Sequence, residues 1–539
     1  MSLPRTGPRT GRQPVLATHG AVAAPHHAAS QAGLAVLQRG GSAVDAIIAT
    51  NAVLAVVYPH MAGLGGDLFA LVWDAKAAQL TALNASGRSG AAATIDWYAS
   101  RGHQAIPSRG PLACVTVPGA VAGWWALHQR HGRMPWSDLF QTAIQLATDG
   151  FGVPDSVAAW SIPNAPILDA DSTARATFRP NGRPLQMGER LAMPALARTL
   201  RTVAERGPEP FYQGEIAATI CAYLQERGGL LTADDFAANR PTWVTPISTT
   251  YRGRTVYQLP PNTQGFAALQ LLGILDGLDV AAMGDATTPY IHTLAEAARL
   301  AFQDRDRYLT DPDFAEIPLG WLLSSGHAAE LRARLDPTRK GTPEAAPTGG
   351  GTCYFCAVDG EGNAVSLIQS VFFDFGSGVI AGDTGVLMQN RGSFFSLDPA
   401  HPNHLEPGKR SFHTIIPAMA FEHGQPALVY GTMGGEGQPQ TQAAVLTRVL
   451  DFGYDVQRAV EAPRWLYGRT WGTQSAALSL EKSISSEVAA ELAAMGHDVR
   501  IVPALSDVMG HAQAIQLDRE RGVYWAAADP RSDGAAAGW

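Results

Sequence analysis

The chain has 539 residues, of which 46% are hydrophobic and 16% charged, a globular balance that excludes intrinsic disorder. Its formal net charge of −8 offers no basic face for nucleic acid, and no nucleic-acid partner is expected. No run of eighteen apolar residues occurs, so no membrane span is expected, and four cysteines in so long a chain do not make a disulfide framework.

Residues 1–14 are rich in Pro, Arg and Gly and read as a loose tail. Basic residues there have no apolar segment behind them, so a secretory signal is not expected and the location expected is cytoplasmic. Residues 22–58 read as two helices divided at Gly40-Gly41. The second opens on Ser42-Ala43-Val44-Asp45, a capping-box pattern, and is apolar nearly all round, which predicts burial between layers. Pro59 ends it, and Gly63-Leu64-Gly65-Gly66-Asp67 makes a turn. Residues 68–73 and 80–83 read as the strands of a hairpin. The clearest helix of the middle third is 288–308, where Ile291, Leu294, Ala298, Ala301 and Phe302 recur at helical spacing.

Residues 335–351 replace periodic apolar residues with Pro, Gly, Thr and charge, the composition of an exposed loop. Cys353 to Val358 then reads as a buried strand, Asp359-Gly360-Glu361-Gly362 as a hairpin turn, and Asn363 to Val371 as the returning strand. Cys353-x-x-Cys356 could signal redox or zinc chemistry. Zinc would want a second ligand pair, which the sequence lacks, and in a strand a three-residue offset points the two thiols to opposite faces. Buried structural cysteines are therefore expected, and no metal or organic cofactor. Gly63 to Asp67 is not a dinucleotide fingerprint, because no strand, Gly-x-Gly-x-x-Gly turn and helix follow one another there.

A loop thus runs straight into a threonine that begins a core strand. A threonine hydroxyl becomes a useful nucleophile when a base lies within hydrogen-bond reach, and a free α-amine on the same residue is one such base. The reference pKa of that amine is about 7.7–8.0, so it is substantially neutral near physiological pH. Releasing it requires a cut between Gly351 and Thr352. Local pattern alone does not separate this threonine from a structural one at a loop-to-strand junction.

The sequence from Gly351, GTCYFCAVDGEGNAVSLIQSVFFDFGSG, resembles the start of the small subunit of γ-glutamyltranspeptidases. Blocks in the family's order extend over nearly the whole chain. They include GGSAVDAIIA, GLGGD, VPGAVAGW, FYQGEIA, GGLLTADDF and YRGRTVYQLPP upstream, and PGKRSFHTIIPAM, YGTMGGEGQPQ, APRW and ADPRSDG downstream. The resemblance implies a four-layer αββα sandwich of the N-terminal nucleophile hydrolases, an α+β fold with two stacked antiparallel sheets between helix layers. It implies a precursor cut before Thr352 into a large subunit, 1–351, and a small subunit, 352–539, intertwined as one domain. Whether such heterodimers pair into a dimer of heterodimers is left open. Thr352 matches the family nucleophile, and Gly434-Gly435 match the paired glycines whose amides stabilise the oxyanion. Ser370 falls where the family has a threonine hydroxyl beside the nucleophile.

The chain departs from the family where γ-glutamyl groups are gripped. Phe372 and Phe394 stand where an asparagine and an acid hold the substrate ammonium, and Arg391 stands where a glutamine is usual. The two serines that hold the α-carboxylate become His413-Thr414, and Arg88 is near, but offset from, the family's carboxylate-binding arginine. An ammonium needs acceptors and a nearby negative charge, which phenylalanine and arginine do not supply, whereas an arginine fork suits a carboxylate. The expected substrate is a small amide bearing a carboxylate, oxamate-like, glutaryl or γ-glutamyl, cleaved through an acyl-enzyme on Thr352. The pattern is also similar to the family branch containing oxamate amidohydrolases, cephalosporin acylases and glutathione-hydrolase-like proteins. Alternatives are a glutathione hydrolase or γ-glutamyl transferase proper, a non-processing binding protein of the same fold, and a thiol-redox protein using Cys353 and Cys356.

Overall fold

A computed structural model describes residues 11–341, 351–468 and 475–539. Alternation along the Gly351–Val358 strand sets its layers, because successive strand side chains point to opposite faces. Phe355 and Ala357 enter a core shared with the helices His27–Gln38 and Ala43–Val57. Tyr354, Cys356 and Val358 enter a second core, shared with another sheet. A strand apolar on both faces needs cover on both, so its sheet lies inside the molecule.

Seven antiparallel strands build that sheet, in the order Ala535–Gly538, Ala21–Ala24, Gly351–Val358, Ala364–Phe372, Asp67–Asp74, Gln79–Ala85 and Thr242–Val244. The second sheet, also of seven antiparallel strands, runs Val15–Ala17, Val523–Ala528, Ala512–Asp518, Gln425–Thr432, Ala418–Glu422, Arg254–Gln258 and Ile247–Tyr251. Phe69, Tyr354 and Ile368 of the first sheet meet Met419, Val429 and Ile515 of the second. The far face of the second sheet packs through Val256, Leu428 and Tyr430 on the helices Gly265–Asp276, Thr288–Tyr308 and Gln438–Leu450. The architecture is the αββα sandwich. Both sheets combine strands from before and after Thr352.

Local signals explain most element ends. Ser42 Oγ accepts from Asp45 N at 3.1 Å and Asp45 Oδ2 accepts from Ser42 N at 2.9 Å, closing the capping box of a helix whose 15 residues are all buried. The Thr288–Tyr308 helix has the bounds that periodicity predicts. The expectation of helix from residue 22 is corrected: Ala21–Ala24 is a strand between two others, and helix begins at His27. Ala-Val-Ala-Ala carries little strand signal, and its small side chains suit a site buried on both faces. Residues 1–10 of the expected tail and 342–350 of the expected loop lie outside the described residues. Among the described residues no helix is long and apolar enough to cross a membrane.

Cys353 lies in the helix-side core and Cys356 in the inter-sheet core, on opposite faces of their strand as the three-residue offset requires. Burial pushes the Cys356 thiol up to about 12 and the Cys353 thiol well above its ordinary value, so neither is a thiolate at neutral pH.

One carboxylate ties the central hairpin to the buried helix. Asp359 Oδ2 accepts from Ala43 N at 3.0 Å, at the helix N-terminus, and Oδ1 accepts from Glu361 N and Asn363 N at 3.0 Å. Asp359→Ala strands these donors and is expected to cost about 2–3 kcal/mol, read as a lower urea midpoint. An unchanged midpoint would show that the clamp contributes nothing.

Candidate active site

Register brings the candidate nucleophile together with its neighbours. Gly351 pairs with Phe372 and Cys353 with Gln369, so the ladder shifts at Thr352. A bulge of this kind re-aims a side chain without ending the strand. Thr352 is buried, and its Oγ1 donates to Ser370 Oγ at 3.4 Å. Ser370 Oγ also accepts from Phe372 N at 2.7 Å. On the next strand Asp67 lies directly opposite Ser370. Phe69 and Ile368, two residues along from Asp67 and Ser370, enter the inter-sheet core, so Asp67 and Ser370 face the second sheet as well.

The glycines before Asp67 are there for close approach. A Cβ on Gly65 would lie 2.1 Å from Leu387 O, and one on Gly66 would lie 2.2 Å from Ser370 O. Only glycine lets this backbone pass against the strand that carries Ser370.

From the second sheet, the Gln425–Thr432 strand runs into Met433-Gly434-Gly435. Gly434 has φ 142° and Gly435 φ 52°, conformations that L side chains rarely adopt. Gln264 Nε2 donates to Gly435 O at 3.0 Å and to Thr414 O at 2.7 Å. Arg305 steadies it, with Nη1 donating to Gln264 Oε1 at 3.0 Å and Nη2 donating to Glu436 Oε2 at 3.1 Å. These contacts fix the direction of the peptide planes at the glycine pair.

The segment 389–394 forms a third side. Arg391 is 1% exposed, and its guanidinium lies over the Phe372 ring at 4.0 Å. Nη1 donates to Thr414 Oγ1 at 3.3 Å, whereas Nε and Nη2 have no partner among the described residues. Burial pushes its pKa down to about 9 against the pull of Asp67, so it remains a cation at neutral pH. Phe372 sits at φ 80°, a strained value for a bulky residue, which places its ring beneath that cation. A buried guanidinium with two idle donors is unfavourable unless an anion completes it.

His413 Nε2 lies 2.9 Å from Asp67 Oδ2, both side chains being 1% exposed. Asp67 Oδ1 accepts from Gly87 N at 3.0 Å, Gly119 N at 3.2 Å and Gln389 Nε2 at 3.0 Å. The carboxylate is all acceptor, so His413 Nε2 carries the proton and Nδ1 is a bare lone pair, buried and without a partner among the described residues. Burial, with the Arg391 charge, pushes the His413 pKa down to about 4.

Of the residues singled out from sequence, Thr352 and Ser370 touch each other, and Arg391 touches Thr414. Arg88 stands apart: Nη1 donates to Gly408 O at 2.9 Å and lies 3.2 Å from Asp311 Oδ2, and Nη2 pairs with Asp313. Sequence reasoning missed Asp67, Gln264 and Arg305. Asp67 had a signal, as the acid that ends GLGGD. Gln264 and Arg305 join the site only through tertiary contacts.

Residues 29–539 match the family model described as gamma-glutamyltranspeptidase. The chain is 45% identical over 524 residues to the glutathione hydrolase-like YwrD proenzyme of Bacillus subtilis, a match covering 97% of this chain and 99% of that protein. It is 41% identical over 534 residues to the oxamate amidohydrolase proenzyme of Klebsiella pneumoniae, again covering 97% and 99%. The crystal structure of cephalosporin acylase from Bacillus halodurans superposes with a TM-score of 0.91 at 38% identity, covering 100% of this chain and 99% of that one.

The buried histidine makes the site acid-sensitive. Its folded pKa lies below the ordinary 6.5, so the unfolded chain takes up the proton first as pH falls. The stability that neutral His413 contributes is complete above pH 6.5 and is lost towards pH 4, a difference of about 3 kcal/mol. The urea midpoint is expected to fall between pH 6.5 and 4.5, less steeply in His413→Leu. Equal slopes in the two proteins would remove His413 as a source.

Proposed function

The chain belongs to the γ-glutamyltranspeptidase family of N-terminal nucleophile hydrolases, and on that premise we propose that it is a self-processing amidohydrolase acting on small amides whose acyl group bears a carboxylate. The observation that carries the substrate class is the Arg391 guanidinium, buried on Phe372 with Nε and Nη2 lacking a partner among the described residues. A carboxylate is the group that meets two such donors with matching geometry and cancels the buried charge.

Processing comes first. The Thr352 hydroxyl attacks the Gly351 carbonyl carbon, the C–N bond breaks, and the Gly351 acyl group moves to Thr352 Oγ1 as an ester. Water hydrolyses that ester, leaving a Gly351 carboxylate and a Thr352 with free amine and hydroxyl. The fragments 1–351 and 352–539 stay together, since each sheet is built from strands of both. In turnover the hydroxyl attacks the substrate amide while the α-amine of Thr352 accepts its proton. The amides of Gly434 and Gly435 stabilise the oxyanion, and losing one such donor typically costs about 10²–10³ in rate. The proton passes to the leaving amine, and water then cleaves the acyl-enzyme. The Ser370 hydroxyl, in contact with Thr352 Oγ1, orients the nucleophile.

Phe372, Phe394 and Arg391 disfavour the reading of a γ-glutamyl transferase proper. They present rings and a cation where an ammonium would need acceptors.

Two measurements test the proposal. Wild-type protein is expected to run as two bands on a denaturing gel and Thr352→Ala as one band near 57.0 kDa. One band for wild type would leave the reading of a non-processing binding protein. The anilide of glutarate is expected to turn over faster than the γ-anilide of glutamate, with ammonia release from oxamate assayed beside them. Arg391→Leu is expected to lower kcat/KM for the glutaryl anilide by about 100-fold or more, the scale of losing a buried charge partner. Faster turnover of the γ-glutamyl compound, untouched by Arg391→Leu, would overturn the carboxylate reading.

A further inference from the structure

Close to Arg391 lies a second group that the reaction scheme does not use. His413 lies edge-on to Phe69, ring centroids 4.8 Å apart, and so stands in the inter-sheet space with Asp67 and Ser370. Its chain neighbour Thr414 takes Nη1 of Arg391. Asp67 fixes the tautomer, because Oδ2 receives Nε2–H of His413 while Oδ1 is already occupied by three donors. Among the described residues, Arg391 Nε and Nη2 thus have no acceptor and His413 Nδ1 has no donor, and all three atoms are buried.

An acceptor of this kind is poor for a carboxylate, since lone pair would face lone pair. It is poor for an ammonium as well. Arg391 repels one, and both oxygens of Asp67 are taken. Phe372, Phe394 and Phe412 supply rings around the cation and no acid. What remains is a neutral donor, a hydroxyl or an amide N–H.

Resting on the reading that Arg391 binds the acyl carboxylate, we propose that His413 is a specificity-determining residue whose Nδ1 accepts a hydrogen bond from a neutral O–H or N–H donor carried by the acyl group beside that carboxylate. Asp67 is its positioning residue. The substrate class narrows to amides of hydroxy- or amido-substituted dicarboxylic acids. A substrate without the donor leaves Nδ1 buried and unpaired, a loss on the order of 10- to 100-fold in kcat/KM.

The test uses three anilides that differ at one carbon: those of glutarate, 2-hydroxyglutarate (at its distal carboxyl) and glutamate (the γ-anilide). In wild type the hydroxy compound is expected to exceed the glutaryl compound by about 10- to 100-fold in kcat/KM. In His413→Leu that ratio should fall to about one. His413→Asn, whose Oδ1 stands near the place of Nδ1, should keep a several-fold preference. Both variants disturb the Asp67 contact, so their difference isolates the acceptor, and a ratio is independent of the fraction of active enzyme. A wild-type ratio of one or less, or one unchanged in His413→Leu, overturns the proposal while leaving the carboxylate reading intact. Loss of the Arg391→Leu effect on the glutaryl compound overturns both.

Discussion

A single buried carboxylate holds the pocket in register. Asp67 accepts hydrogen bonds from Gly87, Gly119, Gln389 and His413, which come from four separate segments. Its charge also opposes the desolvation of Arg391. The strand that carries it pairs Asp67 with Ser370, so the same residue fixes the pocket relative to Thr352. A buried charge is unfavourable unless its lone pairs are met, and here neutral donors meet most of them. The arrangement leaves the negative charge available to oppose the desolvation of Arg391 without closing an ion pair on it. A closed pair would have filled the donors that the proposed substrate carboxylate takes.

The glycine pair is held by a different device. Gly434 and Gly435 need left-handed backbone, and such turns persist only where surroundings over-determine them. Gln264, Arg305 and Glu436 supply that from the helix layer. On the other side Gly510 packs against the turn, at 3.5 Å from where a Cβ on Gly434 would be, and its carbonyl accepts from Arg464. Arg464 belongs to a buried network with Asp529, Arg531 and Glu481. Buried ion pairs add little net stability. Their value here is geometric: directed contacts on carbonyl oxygens set the tilt of neighbouring peptide planes, and with it the aim of their amides.

The burial of the central strand and of the helix Ala43–Val57 was legible in the sequence because its cause is local, whereas the four-layer stacking came from the family resemblance. A strand apolar at every position, flanked by a helix apolar all round, has few solutions other than sheet and helix stacked inside a larger sandwich. Cys353 and Cys356 fell on opposite faces because strand alternation leaves no choice. Ala21–Ala24 was not legible: four small residues obtain their strand conformation from neighbours on both sides, not from their own preferences. Thr352 was marked by family resemblance, since nothing in its local pattern distinguishes a bulged nucleophile from a structural threonine. Arg391 and Thr414 were singled out separately, and the fold joins them. The His413–Asp67 pair was beyond reach, because its members lie 346 residues apart: His413 was singled out by the resemblance, but nothing in the sequence points to Asp67 as its partner.

Strain at Phe372 connects the departures from the family pattern. A phenylalanine at φ 80° is unfavourable by about 1–3 kcal/mol, a cost that packing alone can avoid by choosing glycine or asparagine there. The ring obtained in exchange lies 4.0 Å under Arg391, and Phe394 extends the same surface. A guanidinium is weakly hydrated and stacks on aromatic faces, so the rings make its burial tolerable while blocking none of its in-plane donors. The substitutions are therefore one unit. Arginine at 391 requires the rings, the rings require the strained backbone at 372, and Thr414 takes one nitrogen to fix the plane. On the proposed reading, these substitutions change the group that the site grips, while Thr352 and the glycine turn do the cutting.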